Sequence, residues 1–175
     1  MRAQACSDGG FRPGYNIQLA VAGSEMGGPR TIVGVRVTNI GSDMGSVTPM
    51  IDQIATRTGA LPEKLLADAN HAKHQCIDNA AAKGVELLIA VPDNAAEATS
   101  ATSQAVLEWQ ARMQTDEAKR VYRARASLVE LANAHVKEQL GLDHVLVRGV
   151  AKVTCVALMT GLAFNILQNA ARLLA

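Results

Sequence analysis

Aromatic side chains are scarce in this 175-residue chain, which contains two Phe, two Tyr and one Trp. Proteins that hold single-stranded nucleic acid stack successive bases on aromatic rings. With so few rings, the sequence predicts no stacking platform of that kind. Any contact with nucleic acid is therefore expected to be made mainly with phosphate groups.

Cysteine is also rare, and no long apolar run is present. Cys6, Cys76 and Cys155 are odd in number and contain no C-x-x-C pair, which argues against a disulfide framework or a zinc ribbon and favours a reducing cytoplasm. Residues 1–10 lack the apolar stretch of a secretory signal. The apolar run 153–167 is interrupted by polar residues before it reaches the roughly 18 residues of a membrane span, so we expect a buried or subunit-facing helix and no membrane contact.

The composition is that of one ordinary globular domain. Hydrophobic residues make up 49% of the chain, which excludes wholesale disorder. The net charge of +1 conceals a basic second half. Its cationic residues are Lys119, Arg120, Arg123, Arg125, Lys137, Arg148 and Lys152.

The hydrophobic pattern of the first half predicts strands and helices in alternation. Residues 15–22 and 31–38 are β-branched, apolar runs separated by glycines, which predicts a hairpin. Ser42 or Asp43 is expected to cap a helix that ends near Thr58. A strand over 64–67, a helix over about 71–83 and a strand over 85–91 then predict a β-α-β unit.

The second half is predicted to be mainly helical. Residues 93–103 are small and polar and predict a surface loop, after which a helix begins near Gln104. The apolar stripe of residues 116–140 predicts an extended helix that Gly141 ends. A brief strand is expected over 145–147, before a last apolar helix over about 150–173.

Asp68 is the first candidate site residue. It follows an apolar strand and precedes a turn into a helix, and strand ends of this kind face the ligand crevice in open α/β sheets. The Asp68 carboxylate is therefore well placed to bind a metal ion. An equally simple interpretation is that it only caps the next helix.

A second candidate set is Tyr122-x-x-Arg125-x-x-x-x-Glu130-x-x-x-x-x-x-Lys137. At about 100° per residue of a regular helix, Glu130 and Lys137 lie roughly 20° apart and Tyr122 about 80° from Glu130, with Arg125 on the other flank. Glu130 could share a hard cation such as Mg²⁺ with Asp68, while Arg125, Lys137 and Tyr122 bind phosphate oxygens. The alternative is a solvated helix face with ordinary alternation of charge.

Several sequence blocks, in order, resemble the DDE transposases of bacterial insertion sequences, in the branch with a Tyr-Arg-Glu-Lys signature. They are residues 11–18 (FRPGYNIQ), 65–68 (LLAD), 108–113 (EWQARM), 119–122 (KRVY), 129–130 (VE), 133–134 (NA), 147–149 (VRG) and 152–153 (KV). The resemblance covers most of the chain.

The resemblance implies an α/β fold with a partial RNase H-like core, in which N-terminal strands and a β-α-β unit precede long C-terminal helices. It implies an enzyme that nicks double-stranded DNA at transposon ends and joins the 3′ hydroxyl to target DNA, using Mg²⁺ or Mn²⁺. Asp68 matches the second catalytic Asp and Glu130 the catalytic Glu, and Tyr122, Arg125 and Lys137 match residues that grip the DNA backbone. A second copy of the chain or full-length transposase is a further expected partner, in the bacterial cytoplasm and at the nucleoid.

The sequence departs from the family pattern in three places. No residue matches the first catalytic Asp, which lies upstream of the Tyr15 region in relatives. Ala22-Gly23 replaces an Asp, and Asn70-His71 stands where Gly and an aromatic residue are usual. Asn tolerates the left-handed conformation that the Gly would adopt.

These departures predict that residues 1–175 form a single, N-terminally truncated catalytic domain that is inactive alone. A different hypothesis is a non-catalytic remnant that binds DNA or associates with full-length transposase, since its basic second half suits either role. An unrelated α/β domain is the third alternative.

Overall fold

The computed structural model describes residues 2–5, 11–23, 28–43, 45–92 and 101–174. The strands are Arg2–Ala5 (β1), Phe11–Gly14 (β2), Asn16–Ala22 (β3), Thr31–Thr38 (β4), Lys64–Ala67 (β5) and Glu86–Ile89 (β6). The α-helices are Val47–Thr58 (α1), His74–Ala82 (α2), Gln104–Gln114 (α3), Asp116–Ala134 (α4) and Val150–Leu173 (α5). The predicted α/β class is confirmed.

The chain divides into two compact units. One contains residues 1–43 and 128–175 and is called the terminal unit here, and the other, residues 44–127, is called the central unit. Helix α4 begins in the central unit and ends in the terminal unit. Each unit has a hydrophobic core of its own.

The predicted hairpin forms a two-stranded sheet in the terminal unit. Strands β3 and β4 pair antiparallel from Asn16 opposite Thr38 to Ala22 opposite Thr31. The register shifts between Ala20 and Val21, so that Val33 is an extra residue on β4, as in a β-bulge. Strands β1 and β2 form a separate antiparallel pair.

Helix α5 packs along β4 and is tied to it by Asn165. The side-chain Nδ2 donates to the carbonyl oxygen of Ile32 at 2.8 Å, and Oδ1 accepts from the backbone N–H of Ile32 at 2.6 Å. The side-chain amide therefore replaces a neighbouring strand next to the bulge. Buried residues of the surrounding core include Ile32, Val35, Ala132, Val136, Val153, Ala157 and Phe164.

The central unit contains the predicted β-α-β arrangement. Strands β5 and β6 are parallel, with Lys64 opposite Glu86 and Ala67 opposite Ile89, and α2 lies between them in the chain. The Trp109 indole on α3 is 1% exposed, and its Nε1 donates to the carbonyl oxygen of Ile89 at 3.0 Å. This bond ties α3 to the end of β6. The core also includes Ile51, Ile77, Leu87, Leu88 and Val106.

Some boundaries and one element differ from the sequence predictions. Helix α1 begins at Val47 with Ser46 as its N-cap, so neither Ser42 nor Asp43 caps it. Residues 145–147 form no strand, because they pair with no other described strand. The strand predicted over 85–91 is shorter, and the predicted loop at 93–103 lies mostly outside the described residues.

The extended helix of the second half ends in a wider turn. Helix α4 continues into a π-helical turn over His135–Gln139, and Gly141 follows with a φ of +72°. This positive φ is the conformation in which glycine commonly ends a helix, as the sequence predicted.

Helix α5 has the length and composition to cross a membrane, as the only such helix among the described residues. This is weak evidence for a span, because core helices of globular proteins meet the same two conditions. One face of α5 packs on β4, and the other leaves apolar side chains exposed at Leu158, Met159, Leu162, Ile166 and Leu167.

Candidate functional site

Asp68 lies where the sequence predicted, directly after β5 in the central unit. Its side chain is exposed, and Oδ1 accepts the backbone N–H of Ala69 at 2.7 Å, which caps the short 3₁₀ turn Ala69–His71. The capping interpretation is thus confirmed. It leaves Oδ2 without a hydrogen bond to any described residue, so capping and metal binding are compatible.

The turn after Asp68 differs from the left-handed turn expected at Asn70. Asn70 belongs to the right-handed 3₁₀ turn, and no non-glycine residue in the described ranges has a positive φ. The backbone N–H of His71 donates to the carbonyl oxygen of Asp68 at 2.9 Å. Asn therefore replaces Gly here without backbone strain.

Tyr122 and Arg125 form a pair on the part of α4 that belongs to the central unit. Tyr122 is half-buried against the core of that unit, and the guanidinium carbon of Arg125 lies 5.5 Å from the centroid of its ring. Residues three apart on a helix are neighbours and a cation is attracted to the ring face, so Arg125 can contact Tyr122 from the flank predicted for it.

Glu130 and Lys137 lie in the terminal unit, and both are exposed. Lys137 sits within the π-helical turn, where the N–H of Leu140 donates to the carbonyl oxygen of His135 at 3.2 Å, five residues earlier. A π turn contains more residues than an α turn. The separation of about 20° expected between Glu130 and Lys137 for a regular helix therefore does not apply.

Lys137 lines an open cleft of about 400 Å³ in the terminal unit. Its apolar lining residues include Ile17, Leu19, Val136 and Leu142, and its polar ones include Tyr15, Asn16, Asp43, Asn133 and Asp143. Sequence reasoning did not find this cleft, because its lining comes from two segments that are at least 90 residues apart.

Asp43 does not cap a helix, contrary to the sequence prediction, but accepts two hydrogen bonds at one side of this cleft. Its Oδ1 accepts hydrogen bonds from Asn16 Nδ2 at 2.6 Å and from Gln18 Nε2 at 2.8 Å. Both donors lie on the same face of β3, because successive side chains on a strand alternate. The alternating amides at Asn16 and Gln18 were the available sequence signal for this interaction.

Exposed cations occur in both units. Lys119, Arg120 and Arg123 lie on the first half of α4 in the central unit, and Lys137, Arg148 and Lys152 lie in the terminal unit. Arg123 Nε also donates to the carbonyl oxygen of Lys119 at 3.2 Å. The predicted basic character of the second half is thus present at the surface, where it can attract phosphate.

The pKa of Asp143, which lines the cleft, is shifted. A hydrogen bond from His144 Nδ1, 2.8 Å from Asp143 Oδ2, lowers the pKa of the Asp143 carboxyl below its ordinary value. The side chain is fully exposed to solvent, so this pair contributes little to stability. It favours the ionised form of the Asp143 carboxyl.

The donor chemistry of Asp68 and Glu130 suits a hard divalent cation. Both offer exposed carboxylate oxygens, which Mg²⁺ and Mn²⁺ prefer, and Glu130 forms no hydrogen bond or ion pair with a described residue. Over the ranges that the structure describes, no group of three or more His, Cys, Asp or Glu residues could hold a metal ion. Asp68 and Glu130 belong to different units, and their meeting at one ion remains a prediction.

A family model for the transposase DDE domain matches residues 71–169, which is more than half of the chain. The chain belongs to the transposase DDE-domain family. No curated protein and no solved structure matches it. The matched stretch includes Tyr122, Arg125, Glu130 and Lys137 and begins three residues after Asp68. Membership supports a function related to transposition, acting on DNA, in a family whose domains generally use divalent metal ions.

Proposed function

We propose that this chain carries the carboxylates of a DDE-type, metal-dependent DNA strand cleavage and transfer site, from a bacterial insertion sequence with an RNase H-like core. The observation that carries the proposal is the family match over residues 71–169, which contains Glu130 within the signature from Tyr122 to Lys137. The position of Asp68 at the end of β5 supports it, because the second acidic residue of such sites follows a strand in the family that the sequence resembles.

Asp68 and Glu130 are the proposed ligands of Mg²⁺ or Mn²⁺. A bound divalent cation would activate the attacking oxygen and stabilise the charge on the leaving oxygen. The chain contributes two carboxylates free of ion pairs with described residues, so none of the cations that the structure describes competes for them. The Asp68 side chain is further oriented by its hydrogen bond from Ala69 N–H.

Tyr122, Arg125 and Lys137 are the proposed contacts to the DNA backbone. The stacking of Arg125 on the Tyr122 ring restrains the guanidinium while leaving its N–H groups able to bind a phosphate. Lys137 is exposed and offers a mobile point charge. Because Tyr122, Arg125 and Glu130 all belong to α4, this helix links the proposed phosphate contacts to one proposed metal ligand.

Only two of the three carboxylates of a DDE site are matched in this sequence. We therefore expect the chain alone to bind a divalent ion weakly and not to cleave DNA. Cleavage would require a third carboxylate from outside residues 1–175, and full-length transposase is the proposed partner.

The metal site is tested by titrating the whole chain with Mn²⁺ and following the free ion by electron paramagnetic resonance. Asp68→Asn and Glu130→Gln are each expected to weaken binding about tenfold or more, because each removes one charged oxygen ligand. Glu138→Gln is the matched control, since Glu138 is also exposed in the adjoining π turn. Equal losses in all three variants would reject a shared ion.

Incubation of the chain with transposon-end duplexes and Mg²⁺ or Mn²⁺ tests whether its catalytic site lacks a carboxylate. We expect no nicking above background. Robust nicking that disappears in Glu130→Gln would show that the chain holds a complete site and would contradict the need for a further carboxylate.

A second candidate function is DNA binding or association with transposase without catalysis, favoured by the exposed cations in both units. Salt-dependent retention of duplex DNA should then persist in Glu130→Gln and fall in Lys137→Ala. Lys64→Ala provides the control, because Lys64 is exposed on β5 outside the matched region. Failure to bind either DNA or full-length transposase would reject this function.

A further inference from the structure

Leu146 is unusually exposed for a leucine in an ordered segment. Its side chain is 99% exposed, whereas the exposed loop residue Leu61 in the central unit retains 48% exposure. Leu146 lies between the π-helical turn and α5, in the terminal unit. A leucine side chain this exposed can be contacted by a partner over almost its whole surface.

The residues on either side of Leu146 point the other way. Val145 and Val147 are half-buried and pack against the hydrophobic core of the terminal unit. This inward, outward, inward alternation is the pattern that suggested a strand from the sequence. Because Val145 and Val147 pack on the core, the Leu146 side chain between them faces the solvent.

Both ends of the Leu146 segment are fixed to the terminal unit. The buried Leu142 donates its backbone N–H to the carbonyl oxygen of Val136 at 3.0 Å. At the other end, the N–H of Gly149 donates to the hydroxyl oxygen of Tyr15 at 2.7 Å. The Leu146 tip is thus presented by an anchored segment.

The charges next to this tip suit a polyanion. Arg148 and Lys152 follow it, both exposed, and the first turn of α5 contains no acidic residue, so its positive dipole end is not neutralised locally. The nearest preceding acid, Asp143, accepts a hydrogen bond from His144. An apolar tip beside exposed cations matches the stacked bases and flanking phosphates of DNA.

We propose that Leu146 is a wedge that inserts between two base pairs of duplex DNA while Arg148 and Lys152 contact the neighbouring phosphates. Partial unstacking would expose base faces to the leucine side chain and bend the duplex. Steps that unstack easily, such as TA and CA, are the preferred points of insertion. This inference rests on the proposed action on DNA and adds a local deformation of the duplex to it.

The test measures binding and unstacking separately on the whole chain. Duplexes with 2-aminopurine beside a central TA or CA step report unstacking by increased fluorescence, and fluorescence anisotropy reports affinity. The wild-type chain should increase the 2-aminopurine signal several-fold. Leu146→Ala should keep its affinity within about threefold, because phosphate contacts supply most of it, but lose most of the signal.

Leu61→Ala is the matched control and should behave as wild type, because Leu61 is an exposed loop leucine in the other unit. Circular dichroism verifies that both variants fold. Binding without unstacking by the wild type, or unstacking that persists in Leu146→Ala, would overturn the wedge and leave DNA binding intact.

Two further outcomes identify other failures. If the wild-type chain binds no duplex at all, the proposed action of the chain on DNA fails together with the wedge. If Leu146→Ala leaves unstacking unchanged and instead shifts the sedimentation of the chain towards a smaller species, the tip contacts a second copy and the wedge is overturned.

Discussion

The central and terminal units differ in the sequence separation of the hydrogen bonds that stabilise each of them internally. In the central unit, the hydrogen bond between Trp109 and Ile89 joins residues 20 apart in sequence. In the terminal unit, the bonds between Asn165 and Ile32 join residues 133 apart, and the bond from Gly149 to Tyr15 spans 134. Closing a long loop costs more conformational entropy than closing a short one. The terminal unit can therefore form only when the last helices of the chain return to the hairpin.

This difference matters for the proposed site. Asp68, Tyr122 and Arg125 belong to the central unit, which one contiguous segment can form, whereas Glu130 and Lys137 belong to the terminal unit. Unfolding of the terminal unit is expected to release Glu130 from its folded position. Asp68 would remain at the end of an intact strand in the central unit. Stability measurements that distinguish the two units therefore also bear on the site.

The largest expected effect is that of Phe164→Ala in the terminal unit. Phe164 is 1% exposed and meets the His135 ring edge-on, with 5.2 Å between the ring centroids. Removing a buried phenyl ring leaves a cavity and costs about 3 to 5 kcal/mol. Urea unfolding followed by circular dichroism should show this loss in the terminal unit.

Trp109 makes the same experiment selective, because it is the only tryptophan of the chain and is buried in the central unit. Its fluorescence midpoint should move much less than the circular dichroism midpoint in Phe164→Ala, since each unit has its own core. Equal shifts in both midpoints would show that the two units unfold together, which would contradict their independence.

A smaller effect is expected from Asn165→Ala. The substitution leaves both the N–H and the carbonyl oxygen of Ile32 without their side-chain partner beside the bulge in β4. An unsatisfied buried backbone group costs about 1 to 3 kcal/mol, and partial access of water brings the expected total here to roughly 2 to 3 kcal/mol. The urea midpoint measured by circular dichroism should fall accordingly.

Asn169→Ala is the control for Asn165. Asn169 lies one turn later on α5 and reaches only the Thr31 hydroxyl at 3.4 Å and the carbonyl oxygen of Asn165 at 2.9 Å. Its loss should therefore be clearly smaller. If both variants lose the same stability, the paired hydrogen bonds to Ile32 do not hold the two distant segments together.

The sequence predicted the elements of the fold where local patterns determine them. The hairpin, the β-α-β order, the helix start near Gln104 and the end of the long helix at Gly141 all follow from periodicity and turn residues, and all are confirmed. Residues 145–147 show the limit of that approach. Their alternation is correct, but the partner for Val145 and Val147 is the core of the terminal unit rather than another strand.

The site was only partly predictable for a related reason. Asp68 at a strand end and the positions of Tyr122, Arg125 and Glu130 on one long helix are sequence-local and lie where expected. The π turn at Lys137 is a local change of helix type, and the role of Asp43 depends on packing between segments. A count of 100° per residue includes neither effect.

The smallest expected effect is that of Ser103→Ala, which tests local stabilisation of the central unit. Ser103 accepts the N–H of Val106 at 3.3 Å as the N-cap of α3, and its hydroxyl donates to Asp78. Loss of such a cap costs about 1 kcal/mol. Because α3 carries Trp109, the urea midpoint measured by fluorescence should fall by more than the midpoint measured by circular dichroism.

Thr56→Ala supplies the matched comparison within the same unit. The Thr56 hydroxyl bonds only the carbonyl oxygen of Asp52 one turn earlier in α1, a bond that adds little to an exposed helix. Its removal should change the Trp109 midpoint by less than about half as much as Ser103→Ala. If Ser103→Ala instead lowers both midpoints equally, the cap influences the terminal unit as well, and short-range bonds do not stabilise the central unit independently.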